Sequence, residues 1–263
     1  VTSELVGTGR TANVYALDDG RVLKLFFEEV TARSVAREAE NTRLADEGGA
    51  PAPAVYGTRT EDGRVGLVLD RLDGPTMLDE LKRRPWRASG VGRRLAEVHA
   101  GIHDCAGTGL PDQRERLHDA LDRAALPTDR QRAVRATLDD LPRETALCHG
   151  DCHPDNVVLT PRPVVVDWLD ATCGHPLADV ARTTLLLRVA GVEAGLRGTP
   201  DRLLRRALAS GYRRRYAALT GRTLDDRWLL VVAAARLAES VPGERERLLA
   251  LVDESVSRST DER

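Results

Sequence analysis

The chain has 263 residues, enough for one large domain or two lobes, and its 41% hydrophobic content supports a buried core. Charged residues make up 30%, with 39 Lys plus Arg against 41 Asp plus Glu and a net charge of −2, which gives no electrostatic reason to expect a nucleic-acid partner, whose backbone requires a concentrated basic face. No run approaches the roughly 18 uninterrupted apolar residues of a membrane helix, the start carries no signal peptide, and four cysteines (Cys105, Cys148, Cys152, Cys173) are too sparse for a disulfide scaffold.

A cytoplasmic monomer or homodimer with reduced thiols is therefore expected, with neither a nucleic-acid nor a membrane partner. The chain opens at Val1 without a Met, as expected if an initiator or short leader has been removed. Arginine runs such as Arg213-Arg214-Arg215 sit among apolar residues at helical spacing and read as a solvated helix face.

Residues 1–72 read as strands with one inserted helix. Val14–Leu17 and Arg21–Phe27 are β-prone runs around the turn signal Asp18-Asp19-Gly20. A helical pattern runs from Thr31 to about Glu47 and stops at Gly48-Gly49 before Pro51 and Pro53. Strands near Ala54–Arg59 and Val65–Leu69 follow, joined at Glu61-Asp62-Gly63. The order predicts a small α+β lobe.

Asp70 to Pro75 is a connector, and beyond it the sequence is mainly helical. Helices are predicted over 76–83, 88–104, 113–125, 129–140, 176–190, 201–219, 225–239 and 243–257. A strand-like interlude from Thr145 to Asp167 interrupts them, with a small hairpin of Asn156–Leu159 and Pro163–Asp167. The domain organisation is a lobe over 1–72 and a larger, mainly helical lobe over 73–263, hinged at about 70–75.

Gly7-Thr8-Gly9-Arg10-Thr11-Ala12-Asn13-Val14 lies between the first two strands. Glycines let a backbone approach phosphates closely and offer amide donors. A strand follows the loop rather than the helix a dinucleotide fold requires, and a hairpin is the setting of a kinase glycine loop. A plain hairpin turn is the competing explanation.

Lys24, one of only two lysines, lies inside the apolar strand Val22–Phe27. Burying an ammonium is costly without an anionic partner. In a kinase, nucleotide phosphates and a glutamate on the next helix supply that partner. Glu38 and Glu40 are both available, but at about 100° per residue only one can face Lys24. Glu38 is chosen, with Glu40 as its competitor. An edge-strand lysine that snorkels to solvent is the simpler alternative.

The segment His149-Gly150-Asp151-Cys152-His153-Pro154-Asp155-Asn156 is the strongest signal. Phosphoryl transfer needs a carboxylate to orient the attacking hydroxyl and metal ions to neutralise phosphate charge. Asp151 can be that carboxylate. Asn156, five residues on, can offer its amide oxygen to a metal, and Asp167, after Val164-Val165-Val166, supplies the anionic oxygen that Mg²⁺ prefers. Each could separately be a turn former or cap; the three in order behind a glycine loop and a strand lysine are harder to obtain by chance. Zinc is the rival use of the segment, through Cys148/Cys152 with Cys173/His175, although structural zinc sites usually join ligand pairs across a longer loop.

These residues resemble the aminoglycoside phosphotransferase and choline kinase superfamily, whose members share a bilobal protein-kinase-like fold. The resemblance is carried by His149-Gly150-Asp151-x-His153-x-x-Asn156, by Val166-Asp167-Trp168, and by Gly174-His175-Pro176 leading to Asp179-Val180-Ala181. Gly7 to Val14, Lys24 and Glu38 fall in the expected order, so it spans about 5–190.

The resemblance implies that Asp151 is the catalytic base and that Asn156 and Asp167 hold Mg²⁺. It also implies that Gly7, Gly9, Lys24 and Glu38 serve the nucleotide and that Asp70 to Leu72 form the adenine hinge. His149, His153, Asp179 and His99, in Leu95-Ala96-Glu97-Val98-His99, would be structural supports.

The implied activity is transfer of the γ-phosphate of ATP or GTP to a hydroxyl of a small molecule. His-Gly-Asp at 149–151 looks more like the antibiotic-kinase branch, so an aminoglycoside-type antibiotic is the expected acceptor. A kinase of a sugar, amino-sugar or amino alcohol is the alternative, and a nucleotide-binding pseudokinase the third reading.

Two features depart from the pattern. The glycine loop stands a few residues from the start, leaving little room for an early strand. Residues 190–263, which should build much of the acceptor pocket, hold 14 Arg against 11 Asp plus Glu, and that excess of positive charge lends a polycationic acceptor no support.

Overall fold

A computed structural model describes residues 4–17, 19–189 and 199–261. Its smaller lobe is a five-stranded antiparallel sheet of β1 (Leu5–Thr8), β2 (Ala12–Ala16), β3 (Arg21–Phe26), β4 (Val55–Glu61) and β5 (Arg64–Asp70), in the order β1-β2-β3-β5-β4. The early strand expected to lack room is present as β1, paired with β2. Asp18 of the first turn signal lies outside the described residues.

One helix, α1 (Ala32–Glu47), crosses this sheet. The Thr31 hydroxyl accepts the Ser34 amide at 3.1 Å and so caps it, and Gly48 and Gly49 end it. Val35 of α1 packs with Val22, Phe26, Leu67 and Leu69 in the core of the small lobe.

The larger lobe begins at α2 (Met77–Arg83), opened by a capping box of Thr76 and Asp79. It continues through α3 (Ala88–His103), α4 (Gln113–Arg123), α5 (Thr128–Asp140), α6 (Pro176–Val189), α7 (Thr199–Thr220), α8 (Asp226–Arg236) and α9 (Arg245–Asp261). α3 and α7 touch backbone to backbone at two notches. A Cβ on Gly92 would stand 2.2 Å from the Leu208 carbonyl oxygen, and one on Gly211 would stand 2.4 Å from that of Ser89. Residues 190–198, with the last residue of the helix expected to reach 190, lie outside the described residues.

The stretch between α5 and α6 differs most from expectation. A two-stranded sheet that was not expected pairs β6 (Ala146–Cys148) with β9 (Thr172–Gly174), and the expected hairpin is present but shortened, with β7 (Val157–Val158) paired to β8 (Val164–Val165). Single turns of 3₁₀ helix fill the gaps at Pro154–Asn156 and Trp168–Asp170. Pro161 and Pro163, which cannot donate to a ladder, hold the inner hairpin to two residues a side. The helix expected over 225–239 likewise tightens into a 3₁₀ turn at Leu237–Glu239.

Candidate active site

Lys24 points from β3 into the space between the lobes, where two carboxylates meet it. Its Nζ donates to Glu38 Oε1 at 2.6 Å and to Asp167 Oδ1 at 3.3 Å. Burial alone would lower the ammonium's pKa, but Asp167 and Glu38 outweigh it and hold Lys24 above its ordinary value. Glu38 is buried on the sheet-facing side of α1, whereas Glu40 points outward and pairs with Arg43 at 2.6 Å. Asn41, one turn beyond Glu38, donates to the carbonyls of Trp168 (3.0 Å) and Leu169 (3.1 Å). Helix α1 is thereby tied to the turn that follows Asp167.

Asp167 has a left-handed backbone, φ 68° and ψ 60°, a conformation that costs a non-glycine residue roughly 1–3 kcal/mol. Val166 before it is held from both sides. Its N–H donates to the Asn156 carbonyl at 2.9 Å, and its carbonyl accepts from His149 Nε2 at 3.1 Å. Asp167 and the loop 149–156 are thus fixed to each other through one residue, Val166.

The loop is built around Asp151. His149 accepts the Asp151 amide on Nδ1 at 3.1 Å, which places its ring proton on Nε2. The Asn156 amide returns to the Asp151 carbonyl at 3.0 Å and to Oδ2 at 3.4 Å. His153 Nε2 approaches Oδ2 at 3.3 Å, and Arg182 Nη2 stands 3.8 Å from Oδ1. Burial pushes the Asp151 carboxyl up, but His153, Arg182 and His149 outweigh it, and the group lies below its ordinary pKa. Gly150 has φ +81°, and a Cβ there would stand 2.3 Å from the Asp170 carbonyl oxygen, so only glycine fits.

Behind the loop lies Asp179 on α6, fully buried. Its carboxylate accepts the amides of His149 (2.6 Å) and Gly150 (3.0 Å) and faces His99 Nε2 (3.0 Å) and His103 Nε2 (3.4 Å). Tyr212 and Tyr216 hold the other ring nitrogens of the two histidines, each at 2.7 Å. Burial pushes His103 down to about 4, with neighbouring His99 adding to it against the pull of Asp179.

Gly7 and Gly9 stand at the hairpin of β1 and β2, with Gly7 opposite Val14 and the Gly9 amide bonded to the Ala12 carbonyl at 2.8 Å. Neither has a positive φ, and a Cβ on either would make only ordinary contacts, 3.7 Å to Val14 and 3.5 Å to Ala12. Asp70 spends its carboxylate inside the sheet, accepting from the Ala54 amide (3.0 Å) and the Tyr56 hydroxyl (2.9 Å). Leu72, two residues on, carries no hydrogen bond on its backbone among the described residues.

Oxygen donors suited to a hard cation remain open. Asn156 Oδ1 and Asp167 Oδ2 have no hydrogen-bond partner among the described residues, and Mg²⁺ prefers such ligands. The cysteine–histidine alternative fares differently. Among the described residues, the one group of three or more His, Cys, Asp or Glu whose ligand atoms converge is His99, His103 and Asp179, not Cys148, Cys152, Cys173 and His175. The ring nitrogens of both histidines are already engaged there by Asp179 and the tyrosines.

A cleft of about 290 Å³ opens between α4, α6 and α8 and reaches the loop at Gly150. Arg182 lines it and joins it to Asp151. Motif reading missed Arg182 and Asn41, yet each had a helical signal: both stand three residues beyond a motif acid, Asp179 and Glu38, on the same helix face.

A family model described as the phosphotransferase enzyme family matches residues 2–219. No curated protein matches the sequence. Solved structures do. A thermostable mutant of aminoglycoside phosphotransferase APH(4)-Ia in its apo form has a TM-score of 0.70 at 17% identity, covering 97% of this chain and 95% of that one. Aminoglycoside-3'-phosphotransferase of type VIII has a TM-score of 0.59 at 21% identity, over 91% and 92%. Aminoglycoside phosphotransferase APH(3'')-Id from Streptomyces rimosus ATCC10970, in complex with ADP and streptomycin, has a TM-score of 0.56 at 21% identity, over 90% and 92%. The shared architecture is the bilobal, protein-kinase-like α+β fold.

Proposed function

The chain belongs to the phosphotransferase enzyme family, and on that premise we propose that it moves the γ-phosphate of ATP or GTP to a hydroxyl of a small molecule. The observation that carries this reading is the convergence of Lys24, Glu38 and Asp167 in one ion-paired group, locked through Val166 to the loop that holds Asp151 and Asn156. Residues 1–72 form the nucleotide lobe and 73–263 the catalytic and acceptor lobe, hinged at about 70–75.

In this reading Lys24 binds the nucleotide phosphates, and Glu38 keeps its ammonium charged and aimed. The hairpin at Gly7 and Gly9 closes over the phosphates, and the backbone of Asp70 to Leu72 receives the adenine edge. Asn156 and Asp167 hold Mg²⁺, which when bound neutralises charge on the phosphates. Asp151, ionised and a weak base, orients the acceptor hydroxyl and takes its proton as the bond to phosphorus forms.

For the acceptor, an antibiotic is the class that the relatives support, since similar structures are complexes with hygromycin B and with streptomycin. A hydroxylated primary metabolite is the second reading, favoured by the pairing of Asp170 and Glu239 in the cleft with arginines. Nucleotide consumption across a panel of hydroxylated compounds tests the assignment. Asp151→Asn should lower turnover by about 10²–10⁴-fold and spare nucleotide binding; full activity in that variant overturns it.

A further inference from the structure

Each of the three helices around the cleft contributes a guanidinium. α4 presents Arg116 and Arg123, two turns apart on one face; α6 presents Arg182 and α8 presents Arg236. The acids of the same cleft are Asp170, Asp179 and Glu239, and all three are already engaged. Arg116 donates to Asp170 at 2.7 Å. Glu239 is bonded by Arg182 and by Arg236, the latter at 2.8 Å. Arg236 also forks onto Glu244 at 2.6 and 3.0 Å. Asp179 is buried behind the loop, spent on two backbone amides and two histidines.

The remainder has one sign. Arg123 is exposed and has no ionic partner among the described residues. The buried side-chain atoms left without a partner around this cleft, Arg116 Nη1 and Arg182 Nε, are both donors, so the local shortage is of acceptors. A ligand rich in ammonium groups would meet Asp170 and Glu239 only in competition with the guanidiniums already paired to them, Arg116 on the first and Arg182 and Arg236 on the second. Leu117, Ala120, Val232 and Ala235 give the rest of the wall an apolar character.

We propose that this cleft takes a hydroxylated acceptor bearing a carboxylate or similar anionic group, and that Arg123 is the specificity residue that selects it. The proposal rests on the kinase reading above and narrows its acceptor. A polycationic acceptor is disfavoured by the same ion pairs.

The test is a calorimetric titration of the whole protein loaded with Mg²⁺ and AMP-PNP. The probes are hydroxylated carboxylates (glucuronate, gluconate, shikimate), neutral and amine counterparts (glucose, glucosamine), and the polycation kanamycin. At least one carboxylate should bind about tenfold more tightly than its amine counterpart and than kanamycin. Arg123→Glu should abolish that preference and Arg123→Ala should weaken it. The exposure of Arg123 makes both variants compatible with folding.

Tighter binding of kanamycin or glucosamine overturns the proposal. So does the failure of every carboxylate to bind while the nucleotide does, or an unchanged preference in Arg123→Glu. Failure of AMP-PNP itself to bind is a different result: it removes the kinase reading on which the proposal stands.

Discussion

Replacing Gly7 or Gly9 with alanine separates a phosphate-cradling loop from a plain hairpin turn. Within the chain the change is benign. Neither residue has a positive φ, and the new methyl would lie 3.7 Å from Val14 or 3.5 Å from the Ala12 carbonyl oxygen, ordinary van der Waals distances. Reduced freedom of the unfolded chain should then raise stability by about 0.4–1 kcal/mol. A phosphate lying against the loop reverses the balance, because the methyl holds it away from the amides. Losing one hydrogen bond to a charged group costs about 1.5–3 kcal/mol, which is about ten- to a hundredfold in nucleotide affinity. Thermal denaturation without nucleotide and titration with Mg–ATP measure the two effects separately. Unchanged nucleotide affinity in both variants would refute the loop's role, and a large loss of stability would refute the local geometry.

The two glutamates of α1 should behave oppositely. Glu38→Gln removes a carboxylate 2.6 Å from Lys24 and should reduce kcat/KM for nucleotide by about tenfold or more, while Glu40→Gln, losing only an exposed pair, should change stability by less than about 1 kcal/mol; steady-state kinetics and melting curves check both. Gly150→Ala forces a Cβ to 2.3 Å from the Asp170 carbonyl oxygen at φ +81°, so turnover should collapse, with stability falling by about 1–3 kcal/mol, and a variant with normal kcat contradicts the loop geometry. His103 stays neutral in the fold because its pKa is pushed from 6.5 to about 4. Below pH 6.5 the unfolded chain takes up a proton that the fold refuses, so stability falls with acidification by about 1.4 kcal/mol per pH unit until the folded group also titrates. Stabilities from denaturant titrations between neutral pH and the titration of the folded group should contain this slope on top of those from His149 and His175, which burial also holds below their ordinary pKa, and His103→Gln should reduce the total by about 1.4 kcal/mol per pH unit.

The regular parts of this molecule were legible from periodicity and punctuation. α1 begins at its Thr31 cap and ends at the glycine pair, and most helices of the larger lobe fall within a few residues of their apolar pattern. The β6–β9 sheet was not legible, because its strands are three residues long and meet only through the fold. The α8 boundary was blurred for another reason: an alanine-rich run continues the helical pattern through Leu237–Glu239, and only Arg236 bonding to Glu239 and Glu244 marks where the chain tightens. In the candidate site, the linear motif pointed to Asp151, Asn156 and Asp167. Arg182 was marked only by its spacing from Asp179, and Arg116 and Arg123 are invisible to such reading, because their meaning depends on which acids separate helices bring within reach.

The two hydrogen bonds of the Asn41 amide carry a consequence for control. A kinase can be silenced by swinging the helix that holds the lysine's glutamate out of register. Here that motion would break the Glu38 ion pair and also strip Asn41 from the carbonyls of Trp168 and Leu169, forfeiting roughly 0.5–1.5 kcal/mol for each neutral bond before any loss of charge pairing. Helix, turn and Asp167 are coupled by these contacts, so moving the helix alone carries that cost. On the proposed function, that cost biases the enzyme against an off position of this kind.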